Sequence, residues 1–500
     1  MIRKAKVEGG VVVGIPAADP RITAFKGIPF AAPPVGENRW RAPQPVIPWE
    51  GERKCWTFAP ISMQHIPGLD LNNIYSREWN VDPEIPMDED CLYLNVWTPA
   101  KSTDEKLPVF VWFFGGGLRE GNPAEMEFDG ERIARRGIVV VTVNYRLNVF
   151  GFLSHPQLEA EQPDAPANFG HLDQRAGIIW AKNNIEAFGG DPNNITIGGQ
   201  SAGGGSTCAQ MGSLINEGLF QKAIIMSGTM TGVYGSRAGI TYEEAQKQGE
   251  DFFKYLGVST LEEARKIDAV TLRDKCEAYN GRFSTVVDNK FIDGHFVEKM
   301  VKGDHMKMPI IIGNTSTEFR TPLAGDNMEE FRENAKKALG PQADEFLKAC
   351  GDDFEEAKKK SAVCGFEMTF RAMKEKDKEQ GIDYPTYYYV FNPEIPGWDN
   401  PGTFHSSDLW FFFENLAKCW RPFKGNHYDL SRQMCNYWCN FMKTGDPNGA
   451  DNDGTPMETW KKYSIEEPNA MWFNNDGPKL EVTEPSDVLK PLVENYKSKL

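Results

Sequence analysis

Short apolar runs recur along the chain at 92–97, 109–114, 138–144, 195–198, 223–227, 309–313 and 387–391. Several are continuous rather than alternating, the pattern of strands covered on both faces. Between the third and fourth lies a stretch, 172–188, with Leu172, Ala176, Ile179 and Trp180 at helical spacing. Strand, helix and strand in that order predict an α/β fold around a large, mostly parallel central sheet flanked by helices. Ahead of this rhythm, 7–30 reads as two or three short strands, and the proline-rich stretch 25–40 as a cover for a sheet edge. Residues 55–90 form a long polar loop between Cys55 and Cys91, a length often kept for function. Two stretches, 242–280 and 325–380, read as charge-rich helices, with a capping box at Ser259-Thr260-Leu261-Glu262-Glu263. The lysine run 358–360 and the mixed run 374–379 read as solvated helix faces. No repeat or flexible linker interrupts the chain. A single domain over 1–500 is expected, with the two helical stretches inserted over the active site.

The run at 195–198 leads straight into Gly199-Gln200-Ser201-Ala202-Gly203, followed by more small residues. A strand that turns at once into a helix holds its serine in a strained conformation and crowds the residues two before and two after, so both must be tiny. The new helix aims backbone N–H groups and its positive end at the serine. A serine hydroxyl is a poor nucleophile and needs a base oriented by a carboxylate. On doubly wound sheets the active groups follow strand ends. Glu318 follows the strand at 309–313, and the order serine, acid, histidine then leaves His405 or His427. Position after a sheet strand favours His405, whereas His427 reads as a surface-loop residue. His155 and His171 precede the serine and suit structural roles. Gly115-Gly116-Gly117, after the apolar run 109–114, supplies backbone N–H groups for a developing oxyanion, and Ala202 adds another.

The charge balance, 55 basic against 71 acidic residues and a net −16, argues against nucleic acid or an anionic membrane as partner. No run of about 18 apolar residues appears, so no transmembrane helix is expected. The short, glycine-broken apolar piece 11–15 is no secretory signal core, and a cytoplasmic protein is expected. The nine cysteines show no metal-ligand spacing; Cys435 and Cys439 have no histidine at ligand distance, so no metal is expected.

At this point the chain resembles the type B carboxylesterase family, which includes bacterial para-nitrobenzyl-type esterases and the cholinesterases. The matching motifs run nearly end to end: 25–40, 89–97, Gly115-Gly116-Gly117, Asn144-Tyr145-Arg146, 188–192, the serine turn, Ser227-Gly228, the loops of Glu318 and His405, and the late stretch from Trp438 to Asn448. The resemblance implies an α/β-hydrolase fold with Ser201 as nucleophile, Glu318 as triad acid and His405 as base. It implies an oxyanion hole of Gly116, Gly117 and Ala202, and a disulfide between Cys55 and Cys91 that a reducing cytoplasm would leave open. No metal or organic cofactor is implied, and the partner is a small-molecule ester. Substrates would be small to medium carboxylic esters, with aryl or feruloyl esters inside that class. An aromatic lining from Trp79, Phe319, Phe404, Trp410 and Phe411 is expected, and a bacterial monomer.

Two positions depart from the family pattern. Phe114 stands where many members have histidine or tyrosine, and Gln200 where many have glutamate. Gln200 removes a negative charge beside the catalytic histidine, which favours the neutral imidazole. Two rival readings follow from the resemblance. Silent adhesion or recognition proteins on this fold usually lack an intact triad, whereas all three residues are present here. A choline-ester-specific esterase needs an aromatic platform for a cationic head. Trp79 lies in a comparable region, but its spacing to Cys91 is different and longer.

Overall fold

A computed structural model describes residues 1–229, 240–279, 281–318, 321 and 323–498. The chain groups into two compact units, Met1–Lys222 with Gly239–Gly294, and Ala223–Ala238 with His295–Leu500.

In the first unit, the strand Leu107–Phe113 is central. It runs parallel to Val139–Val143 on one side and to Gly190–Gln200 on the other, with Val111 opposite Val141 and Ile197. Tyr93–Thr98 and then Thr23–Pro29 continue the sheet antiparallel. Every residue of Val139–Val143 is buried, as a continuous apolar run predicts for a strand with both faces covered. The helix Phe169–Asn184 packs on this sheet so closely that a Cβ on Gly177 would stand 2.6 Å from a Val143 methyl. The helix predicted at 172–188 thus begins earlier and ends in a short 3₁₀ turn, Ile185–Phe188. The strand predicted at 195–198 extends over Gly190–Gln200: Gly190 pairs with Leu107, and a register irregularity across the polar residues that follow brings Ile195 opposite Val109.

The predicted insertion at 242–280 forms three helices, Tyr242–Leu256, Leu261–Arg265 and Ala269–Ala278. The capping box read from the sequence is present: Thr260 caps the second helix and Glu263 reaches back to it. Arg39, from the proline-rich stretch, ties this layer to the sheet edge. Its guanidinium forms a buried fork on Glu89 at 2.5 and 2.8 Å and donates to the Ile267 carbonyl at 2.6 Å.

In the second unit, Ile310–Thr315 runs parallel to the strand ending at Met226 and to Thr386–Phe391. Asn469–Asn474 adds a further parallel strand and turns back as Gly477–Val482. The sequence reading missed this hairpin, whose second strand has no fully buried residue and so no apolar stripe. The second insertion supplies the helices Met328–Leu339, Ala343–Cys350 and Phe354–Gln380. The run 374–379 on the last helix is not wholly solvated. Lys374 and Asp377 are buried and paired at 3.1 Å, and Lys307 reaches Asp377 at 2.9 Å. The two residues are three apart and share a face turned into the unit, which charge alone does not reveal. Among the described residues, no helix is long and apolar enough to cross a membrane.

The firmest charge pair of the first unit is Arg146 with Asp173, both essentially inaccessible. Asp173 accepts Nε at 2.8 Å, Nη2 at 2.7 Å and the Arg146 backbone N–H at 3.0 Å. Burial pushes the Asp173 carboxyl up, and the guanidinium opposes this. Arg146→Met would strand that carboxylate in the core and is expected to cost about 3–5 kcal/mol. A clear fall in the urea midpoint of the variant would verify it; an unchanged midpoint would contradict the buried pairing.

Candidate active site

Ser201 sits between the strand Gly190–Gln200 and the helix Ala202–Gly212, with φ 56° and ψ −124°. A non-glycine residue in that region stores roughly 1–3 kcal/mol of strain, which only over-determined surroundings maintain. Those surroundings are backbone. A Cβ on Gly199 would lie 2.2 Å from the Gly203 carbonyl oxygen, and one on Gly203 would lie 2.1 Å from the Phe113 carbonyl oxygen. Gly-x-Ser-x-Gly is therefore a packing requirement, and its outcome is a serine at the N-terminus of a helix whose first N–H groups have no intrahelical partner.

The triple-glycine turn lies directly against the serine. A Cβ on Gly115 would be 3.2 Å from Ser201 Cβ and 2.8 Å from the Gln200 carbonyl oxygen. Gly116 has φ 103°, and its carbonyl accepts from the N–H groups of Arg119 and Glu120 at 3.1 Å each. A Cβ there would strike the Glu120 carbonyl at 2.1 Å. Behind the turn, the Tyr145 ring stacks on Phe114 at 4.2 Å, and its hydroxyl donates to the Phe114 carbonyl at 2.6 Å. Phe114 thus packs inward, buried under Tyr145. The long loop 55–90 contributes Gln64, whose amide clamps Gly121 by accepting its N–H at 2.8 Å and donating to its carbonyl at 3.0 Å. No sequence motif signals Gln64; a lone glutamine in a polar loop has no pattern to read.

Two buried carboxyls follow this turn. Glu125 accepts the Asn122 N–H at 2.7 Å, and Glu127 is close enough for the two carboxyls to act on each other. Burial is the main reason both lie above the usual carboxylate range, Glu125 at about 7 and Glu127 well above its ordinary value. The charges of Glu120 on Glu125, and of Glu78 on Glu127, add to the rise.

In the second unit, Glu318 follows the strand Ile310–Thr315, as its place in the sequence predicts. One carboxylate oxygen accepts His405 Nδ1 at 2.5 Å. The other accepts the Ser227 hydroxyl at 2.6 Å and the Thr315 N–H at 2.8 Å. Three donors on a buried carboxylate fix its orientation and, through Nδ1, that of the imidazole ring. Ser227, the first residue of the Ser227-Gly228 motif, sits at φ 47°. A second carboxyl, Asp408, is wholly buried nearby and accepts the Tyr389 hydroxyl at 2.8 Å. Burial pushes it up to about 7; the Tyr389 hydrogen bond opposes that, the Glu318 charge adds to it, and His405 opposes it.

The other histidines are structural. His427 lies inside the helix Gly425–Thr444, where Nδ1 accepts the Lys424 N–H at 2.9 Å. His155 caps the helix Pro156–Glu161, and burial holds the His171 imidazole down at about 4.

Of the expected aromatic lining, Trp410 and Phe411 are enclosed within the second unit; Phe411 packs edge-on against Phe391 and Phe423. Phe404 is buried beneath the Arg421 guanidinium, 5.3 Å from its ring. Trp79 is half-buried and stacked on Tyr75 at 5.5 Å. Phe319 lies outside the described residues. The implied disulfide is not formed: Cys55 and Cys91 are separate buried thiols. The first faces the Gly27 carbonyl at 3.9 Å and the second is bonded to Ser62, and burial pushes them up to about 11 and about 12.

A strained serine at a strand–helix turn, on a large mixed sheet flanked by helices, defines the α/β-hydrolase fold. Comparison with known proteins narrows the class. The model of the carboxylesterase family matches residues 2–380 and 326–486. The para-nitrobenzyl esterase of Bacillus subtilis (strain 168) is 32% identical over 467 residues, covering 88% of this chain and 89% of the relative. The fumonisin B1 esterase of Sphingopyxis macrogoltabida is 30% identical over 471 residues, covering 88% of this chain and 82% of the relative. A solved PNB esterase structure superposes with a TM-score of 0.82 at 28% identity, covering 98% of this chain and 99% of that one. The chain belongs to the carboxylesterase family, and it is an esterase acting on small-molecule carboxylic esters.

Two outcomes are expected from this geometry. Gly116→Ala forces a Cβ into the Glu120 carbonyl at a positive φ and is expected to lower kcat by about 10²-fold or more; steady-state assays with a nitrophenyl ester check it. Because the Glu125 and Glu127 carboxyls are raised on folding, the stability they contribute is fully present below about pH 4.5 and is lost as the pH rises through about 7 and beyond. Glu127→Gln, an isostere of the protonated acid, should flatten that decline; melting temperatures between pH 5 and 8 would reveal it.

Proposed function

We propose that the chain is a serine carboxylesterase working through an acyl-enzyme, with Ser201, His405 and Glu318 as its triad. The observation that most supports this is the buried Glu318–His405 pair. With Nδ1 donating to the carboxylate at 2.5 Å, the neutral imidazole is basic at Nε2, the atom that takes a proton from a serine hydroxyl. Ser201 Oγ then attacks the ester carbonyl. The oxyanion is met by the N–H groups of Gly116, Gly117 and Ala202, already fixed by the glycine turn and the helix start. His405 passes its proton to the leaving alcohol. In the second half-reaction it draws a proton from water, whose oxygen attacks the acyl group and releases the acid and Ser201. Nothing in this sequence of steps calls for a metal or organic cofactor. The substrates proposed are small to medium carboxylic esters, including aryl and feruloyl esters.

Ser201→Ala and His405→Ala are each expected to lower turnover of 4-nitrophenyl acetate by about 10⁴-fold or more. A His405→Ala protein near wild-type activity would remove the base assignment, and an active Ser201→Ala protein would remove the mechanism.

A further inference from the structure

The Arg282 guanidinium stands beside the glycine turn, close enough to Arg119 for their charges to act on each other, and neither forms an ion pair among the described residues. Arg282 Nη2 donates to the Gly117 carbonyl at 3.2 Å and lies 3.6 Å from where a Gly117 Cβ would be. Arg119 follows Gly117 by two residues and is exposed to solvent, as Arg282 is. The two act on each other: Arg282 is drawn below its ordinary value chiefly by desolvation, with the Arg119 charge adding to the effect. Among the described residues, no carboxylate lies within the 4.0 Å of an ion pair with either arginine. Glu120 pairs with His65 at 2.9 Å, and Glu277 acts on His65 and Cys276. In a chain with a net charge of −16, most arginines find a carboxylate, so a doubled, unanswered cation at this turn is an unusual arrangement.

Like charges held together are unfavourable until an anion joins them. A carboxylate is the matching anion, since a guanidinium offers it a planar two-point fork. The turn that carries this pair is the one packed against Ser201, through Gly115. A carboxylate bound there would belong to a molecule whose ester carbonyl is within reach of the serine.

We propose that Arg119 and Arg282 form a carboxylate-recognising subsite, and that the preferred substrates are esters bearing a free carboxylate, such as hemi-esters of dicarboxylic acids. This rests on Ser201 being the esterase nucleophile. The carboxylate can sit on the acyl side or the alcohol side of the ester, and the test separates the two.

The test compares kcat/KM for matched pairs on the purified full-length enzyme. Mono-4-nitrophenyl glutarate against 4-nitrophenyl butyrate probes the acyl side. 4-Acetoxybenzoate against its methyl ester probes the alcohol side. In at least one pair the charged ester should be favoured by about tenfold or more, the scale of a charge-assisted hydrogen bond. That ratio should fall by about tenfold in Arg282→Gln, which keeps a donor for the Gly117 carbonyl, and also in Arg119→Gln. It should also shrink as sodium chloride rises from about 0.05 to 0.5 M, because the attraction is screened. Charged and neutral esters falling in parallel in both variants would mean that the arginines only prop the turn, and would overturn the proposal. So would a ratio indifferent to salt and to both substitutions. Retention of neutral-ester turnover by Ser201→Ala would instead strike the esterase mechanism itself.

Discussion

The serine turn of the first unit depends on one contact, the approach of bare backbone to bare backbone at Gly199, Gly203 and Phe113. The distances involved, 2.1 and 2.2 Å to a notional Cβ, leave no room for a side chain. This closeness holds Ser201 at φ 56°, a conformation that relaxes if either glycine gains a methyl group. It also brings the carbonyl end of Leu107–Phe113 against the helix start, so the glycine turn that continues that strand arrives beside the serine. Strand, turn and helix are thus held together by direct backbone packing, with no side chain between them.

That packing is braced from behind by groups of quite different chemistry. Tyr145 pins the Phe114 carbonyl, Gln64 clamps Gly121, and Glu125 secures Asn122. The Arg146–Asp173 pair, one residue beyond Tyr145, anchors the strand end from which Tyr145 projects. Buried polar contacts of this kind favour one arrangement of the backbone they hold, and the contacts named here lie between 2.6 and 3.0 Å. In the second unit the same logic is applied to Glu318, whose two oxygens accept from His405, Ser227 and Thr315. A carboxylate so held cannot rotate away from the imidazole, which fixes the orientation of the His405 ring.

Much of this was legible along the chain because it rests on short-range rules. Continuous apolar runs marked seven strands, and all seven are present with ends shifted by a few residues. The capping box at Thr260 and Glu263 is a local hydrogen-bond pattern and was found where it was read. Glycines at 115–117, 199 and 203 could be assigned because only glycine tolerates the backbone geometry they take. The Glu318–His405 contact was legible too, because both residues follow strands that pair in register, Ile310 with Thr386 and Thr315 with Phe391.

What escaped the sequence depends on neighbours far along the chain. The hairpin Asn469–Val482 has no sustained apolar stripe, so only its partner Thr386–Phe391 makes it a strand. Lys374 and Asp377 read as surface charges until Lys307 and the helix packing bury them. Trp410 and Phe411 offered the aromatic character of a binding wall, but their surroundings enclose them as core. Cys55 and Cys91 are separate thiols because each turns to its own partner. Arg119 and Arg282 are ordinary surface residues by composition; only folding places them together at Gly117. By itself the sequence determined the strands, the glycine-bound serine turn and the places of Glu318 and His405 after strand ends, since steric and hydrogen-bonding rules over a few residues dictate them. The tertiary structure alone decided which charges are buried, which aromatics are core and which cations go unanswered, since those are set by residues tens to hundreds of positions away.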